Sequence, residues 1–178
     1  MDTQQFWQLI EDARAEAGGG AGGEEIAERA SALLAGRTVP EILGAQQVLW
    51  DLLAVSYTHP LWAAAHLVNG GCSDDGFDYF RGWLITQGRE VFERAVADPD
   101  SLAGLAGVVE SLAGGGELEC EDTLGIAWAA YRSATGQQIP DGAFGISYPA
   151  LDPDWGFDFD DEREMARRLP RLAALAHG

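Results

Sequence analysis

Apolar residues recur three and four positions apart along most of the chain, the spacing that gathers them on one face of a helix. Phe6, Trp7, Ile10 and Ala13 form the first such stripe, and Asp2 with Gln5 three residues later reads as its capping box. The run Gly18–Gly23 ends it and reads as a flexible linker inside the domain. A second helix is expected over Glu24–Ala35, closed by Gly36. Thr38-Val39-Pro40-Glu41 is a strong start signal, and Ile42, Ala45, Gln46, Leu49, Leu52 and Leu53 carry the third stripe to about Ser56. Thr58-His59-Pro60 opens a fourth helix, whose Leu61, Trp62, Ala65, Leu67 and Val68 precede a stop at Gly70-Gly71. The pattern resumes over Asp74–Gln87 and again over Arg89–Ala97, where Asp98-Pro99 halts it.

Beyond this point the periodicity weakens. Residues 100–116 predict a helical turn and a glycine loop at Gly114-Gly115-Gly116. A helix is expected over Glu117–Thr135, using Leu118, Leu124, Ile126, Ala127, Trp128 and Tyr131, with Gly136 as its stop. Residues 137–160 have no period, yet Trp155, Phe157 and Phe159 alternate with acids. So long a loop should be packed down by its aromatics. A last helix begins near Asp161, holds Met165 and Leu169, and is expected to bend at Pro170. No stretch alternates long enough to predict a strand. The fold class expected is all-α, a single compact multi-helix domain over 1–178 with a long aromatic and acidic loop before the C-terminal helix.

Charge changes the picture. The chain of 178 residues is long enough for one continuous core, and it carries 29 acids against 11 basic residues, a net charge of -18. Every basic residue is arginine, a usage that points to a GC-rich bacterial genome. A field this negative repels phosphate backbones and anionic membranes, so neither nucleic acid nor membrane is an expected partner. The acid excess has two readings: a solubilising surface, or a face that docks a protein partner with a basic surface. Met1-Asp2-Thr3-Gln4 has no basic n-region, and no run approaches the roughly 20 apolar residues of a bilayer span. Cys72 and Cys120 lie far apart and outside metal spacing. Both are expected as reduced thiols in a cytoplasmic protein. The pattern specifies no oligomeric state.

The block Asn69–Arg89 concentrates the chemistry. Its structural reading is two helices and a tight turn. Gly70-Gly71 reverses the chain, Ser73 caps, and Asp74 and Asp75 meet the helix dipole. Gly76 permits a close helix crossing, and Phe77, Phe80, Trp83 and Leu84 form a buried stripe. Its functional reading is a ligand cleft formed by Trp62, His66, Asn69, Cys72, Asp75, Asp78 and Arg81. Cys72 stands just before a helix N-terminus, which favours a thiolate, but the adjacent acids oppose it. A nucleophilic thiol also needs a base, and His66 six residues earlier is the nearest. Asp152, Asp154, Asp158, Asp160 and Asp161 superficially resemble a calcium loop. The match fails, because Gly156, Phe157 and Arg163 occupy positions that need other residues. No catalytic residue, metal or cofactor is assigned.

The block as a whole resembles the signature of the bacterial domain of unknown function 4240 family. The opening Phe6-Trp7-Gln8-Leu9-Ile10-Glu11 is similar to that family's start. The close, Trp155-Gly156-Phe157-Asp158-Phe159-Asp160-Asp161 into Met165-Ala166-Arg167-Arg168-Leu169-Pro170-Arg171-Leu172, is similar to its end. The resemblance implies one family domain over roughly residues 1–175, with Gly18–Gly23 and the stretch around Gly114 as added loops. It brings no catalytic residue to any position. Two functions follow as expectations: a non-catalytic binding or regulatory module with an acidic partner surface, or a small-molecule-binding domain or enzyme with its cleft at the Gly70–Gly76 turn.

Overall fold

The computed structural model describes residues 1–178 except Gly115. In order, the helices are α1 (Thr3–Ala17), α2 (Gly23–Ala35), α3 (Val39–Val55), α4 (His59–Asn69), α5 (Asp74–Thr86), α6 (Arg89–Ala97), α7 (Ala106–Glu110), α8 (Ile126–Thr135), α9 (Glu162–Arg168) and α10 (Pro170–His177). Short 3-10 turns lie at Pro99–Gly104, Glu121–Gly125 and Pro153–Trp155. The architecture is all-α, with no strand among the described residues. In the loop expected at Gly114–Gly116, Gly115 lies outside the described residues.

The local start signals work as their chemistry requires. Asp2 accepts from the Gln5 amide at 2.8 Å while the Gln5 side chain accepts from the Asp2 amide at 2.9 Å. Thr38 and Glu41 form the same reciprocal box at α3, and Ser73 Oγ accepts from the Gly76 amide at 3.1 Å. Each satisfies amides that the first turn leaves without partners. α2 packs against both α1 and α8, and α10 against α4 and the Pro99–Gly104 turn. Phe6, Ile10, Leu34, Ile42, Leu49, Leu53, Leu61, Phe77, Phe80, Leu84 and Phe92 fill the shared core. The aromatics Trp155, Phe157 and Phe159 lie half-buried over that core, and their neighbouring aspartates stay in solvent.

Three expectations need correction. The helix over Glu117–Thr135 is not continuous. Residues 117–120 have no regular secondary structure, with Cys120 in the extended region, a 3-10 turn follows, and α8 starts only at Ile126. The cause is tertiary: the Cys120 amide donates to the Tyr79 carbonyl of α5 at 2.9 Å, and the Leu118 amide donates to Asn69 Oδ1 at 3.0 Å. These bonds replace helical ones. Gly76 does not serve a helix crossing either, since a Cβ there would meet the Glu119 carboxylate at 3.1 Å and Ser73 Oγ at 3.3 Å. The glycine of close approach is Gly82, whose missing Cβ leaves room for the Cys120 carbonyl oxygen. Finally, the last helix is two. Leu169, with φ of -129° and ψ of 61°, breaks the chain before Pro170, as the steric demand of a following proline favours. Asp161 caps α9, and α10 is capped from afar. Asp100 accepts from the Arg171 amide at 3.1 Å and the Leu172 amide at 2.9 Å.

The two glycines of α5 should therefore respond differently to one methyl. Gly82→Ala drives a Cβ into backbone and is expected to cost about 2 kcal/mol or more. Gly76→Ala meets a movable carboxylate and gains up to about 1 kcal/mol of helix propensity. Urea melts of the two variants check this, and equal losses would contradict it.

Candidate functional site

Arg81 organises the centre of the site. Its side chain is 0% exposed, which is unusual for a charge and requires partners on every side. Arg81 donates to the Leu53 carbonyl at the end of α3, to Asp78 Oδ1 one turn earlier, and to the Phe77 carbonyl at 3.3 Å. Its guanidinium carbon lies 4.5 Å from the Phe77 ring centre, 5.2 Å from Tyr57 and 5.4 Å from Tyr148. Trp62 stacks on Phe77 at 4.7 Å and donates its indole N–H to the Cys72 carbonyl at 3.1 Å. The block therefore supplies a cation in an aromatic cage, with a half-buried carboxylate as its counter-charge. Burial pushes the Asp78 carboxyl up against the lowering pull of Arg81. Desolvation outweighs the partner's charge there.

Cys72 faces a different place. A shallow hollow of about 370 Å³ is lined by Asn69, Cys72, Asp75, Tyr79, Glu117 and Glu119 among others. Burial first, then the charge of Glu119, pushes the Cys72 thiol up to about 12, despite the opposing Arg81. The thiol is thus neutral near pH 7. The two influences weighed from the sequence resolve in favour of the acids and burial, over the helix terminus. Burial also raises the Cys120 thiol, and both cysteines are free.

His66 faces a third place. Its Nε2 lies 3.0 Å from Asp160 Oδ1, and its ring stands edge-on to Phe159 at 5.7 Å. It lines a separate hollow with Gly70, Glu162, Met165 and His177, so its hydrogen-bonding partner is an aspartate on the loop before α9 rather than the Cys72 thiol. The seven residues gathered from the sequence thus divide. Trp62, Asp78 and Arg81 build the cage, Asn69, Cys72 and Asp75 line the acidic hollow, and His66 belongs to the loop contact. The i, i+3 pairing of Asp78 with Arg81 was legible from spacing. Tyr57, Tyr148, Glu117 and Glu119 were not, because they reach the site from elements outside the block.

Two outcomes follow from this geometry. Arg81→Lys keeps the charge but cannot reach three acceptors from one planar group, and is expected to destabilise the fold by about 2–3 kcal/mol in chemical denaturation. At pH 8, Cys72 is expected to react with iodoacetamide about 100-fold or more slower than free cysteine, followed site by site in mass spectra. Alkylation at the free-thiol rate would contradict a neutral, shielded thiol.

Comparison with known proteins adds the family. No curated protein and no solved structure matches the chain. A family model described as "Protein of unknown function (DUF4240)" matches residues 1–133. The match takes in the opening helix and the whole Asn69–Arg89 block, while the closing segment from Trp155 lies beyond it. With three quarters of its length matched, the chain belongs to the DUF4240 family.

Proposed function

We propose that this protein is a soluble, cytoplasmic, non-catalytic binding or regulatory module that presents an acidic face to a protein partner with a basic surface. The observation that carries the reading is the crowding of like charge around the hollow. Asp74 and Asp75 open α5, and the segment beside it brings Glu117, Glu119, Glu121 and Asp122. None of the residues lining the hollow is basic. Glu119 is held above the usual carboxylate range, first by burial and then by Glu117, and Glu121 raises the Tyr79 phenol. Cations brought by a partner relieve such repulsion. The chemistry of the block fits this role, since the thiol is protonated and the arginine is engaged in packing. Among the described residues, no helix is long and apolar enough to cross a membrane.

A second reading has its own support. The Asn69 amide nitrogen is buried without a hydrogen-bond partner while its oxygen holds Leu118, and Asn69 lines the hollow. A small molecule with an acceptor group would pair with it. In that case a thermal-shift screen of nucleotides, sugars and amino acids gives a stabilising hit that Asn69→Ala or Asp75→Ala abolishes.

The partner reading is tested with an immobilised arginine-rich peptide. Binding is expected at low ionic strength and should weaken about tenfold or more between roughly 50 and 300 mM salt. The triple variant Glu117→Gln, Glu119→Gln, Glu121→Gln should lose it, while the charge-matched Glu16→Gln, Glu90→Gln, Glu93→Gln should keep it. Equal loss in both would reduce the effect to net charge and overturn the assignment to this face.

A further inference from the structure

The segment after α8 covers a second surface, distinct from the acidic face. It leaves α8 at Gly136, in the left-handed conformation with φ of 69°, and runs along α3 in the same direction as that helix. The Gly145 amide donates to Gln47 Oε1 at 3.2 Å, and Gln47 Nε2 donates to the Gly145 carbonyl at 3.0 Å. Phe144 lies 6.3 Å from Trp50 and 5.0 Å from Trp128. Tyr148 packs on Tyr57 at 4.4 Å and over Arg81. Further on, His59 Nδ1 donates to the Asp152 carbonyl at 2.6 Å.

The segment is seated by the rings of Phe144 and Tyr148, by the partly buried Ile139 and Ile146, and by the Gln47 pair. From 140 to 150 every residue is exposed except Phe144 and Ile146, which are half-buried, and Tyr148 itself is 38% exposed. Among the described residues, one backbone–backbone hydrogen bond forms within 137–151, from the Ala143 amide to the Pro140 carbonyl at 3.3 Å. Beneath it the fit is incomplete. The buried Trp50 indole N–H, in the ring that Phe144 touches, has no partner. Such a group costs free energy when left unpaired. The family match also separates the floor from its cover. Gln47, Trp50, Tyr57, Arg81 and Trp128 all lie within the residues matched to the family, and the covering segment lies outside them.

We propose that this floor is a docking groove for an extended segment of a partner protein bearing two aromatic residues four positions apart, and that residues 144–148 occupy it as an intramolecular stand-in. The spacing comes from the occupant: Phe144 fills the Trp50–Trp128 step and Tyr148 the cage over Arg81, with uncharged Gly145-Ile146-Ser147 between them. Gln47 reads the backbone, which gives it no side-chain preference. The unpaired Trp50 N–H favours a partner whose backbone carbonyl reaches it. Because the stand-in is tethered, it competes at an effective concentration in the millimolar range, so a free peptide succeeds when the tethered rings are removed or a better-paired sequence is offered.

The test uses the full chain carrying Phe144→Ala and Tyr148→Ala, with a synthetic peptide of the sequence of residues 140–151 followed by tryptophan fluorescence and calorimetry. The variant is expected to bind the peptide about tenfold or more tighter than the native chain, and not to bind a control peptide with both aromatics replaced by alanine. A variant that melts cooperatively yet binds neither peptide overturns the proposal. If the variant does not fold, hydrogen exchange on the native chain decides. Added at roughly 10 mM, above the effective concentration of the tethered segment, the peptide should speed exchange of the Ala143 and Gly145 amides and leave α3 unchanged, and no change overturns the proposal. A native-chain dimer formed by exchanged 144–148 segments, with no peptide binding, also overturns it, in favour of a second copy as occupant.

Discussion

A guanidinium with no access to water has to find every partner inside the protein, and Arg81 finds them on four parts of the chain. The Leu53 carbonyl comes from the end of α3, Asp78 from its own helix, and the rings from α5, the α3–α4 connection and the segment after α8. The acceptors and the counter-charge are needed, because an ion taken out of water costs several kcal/mol unless its charge and donors are matched. That requirement fixes the position of α5 relative to α3. It also explains why the following turn carries Tyr57 toward the core and why Trp62 stacks flat on Phe77. The residues that look most like chemistry in this block are therefore largely the means by which the helices are held in register.

The acidic hollow is a consequence of the same packing. Gly82 lets the non-helical stretch 117–120 lie directly on α5, and the Tyr79 carbonyl and Asn69 side chain hold it there. That stretch then sets Glu117 and Glu119 beside Asp75 and the Cys72 thiol. Helical hydrogen bonds were exchanged for a surface on which like charges crowd together. A thiol placed before a helix N-terminus would ordinarily ionise more easily, but here burial and three carboxylates prevail. The electrostatic character of the site is set by its neighbours in space.

Capping was the most legible part of the fold, because a cap joins residues three apart and needs nothing from elsewhere. Asp2 with Gln5, Thr38 with Glu41, and Ser73 with Gly76 all behaved as their spacing implies. The α10 cap was invisible for the opposite reason. Asp100 lies about 70 residues away, and nothing near it signals that it will meet the Arg171 and Leu172 amides. The same holds for Tyr148, which reaches Arg81 across 67 residues.

Taken alone, the sequence determined the all-α class, the apolar stripes, most helix boundaries, the net charge and the Asp78–Arg81 pair. These depend on interactions within one or two helical turns or on composition. Only the tertiary structure decided that Glu117–Cys120 is not helical, that Gly82 rather than Gly76 is the point of close approach, and that Arg81 is sealed beneath aromatics from distant segments. A backbone amide accepts whichever partner is nearer and better aligned, and a carbonyl on a neighbouring helix is absent from any local pattern. Burial likewise is a property of what covers a residue, and for Arg81 much of that cover comes from Leu53, Tyr57 and Tyr148.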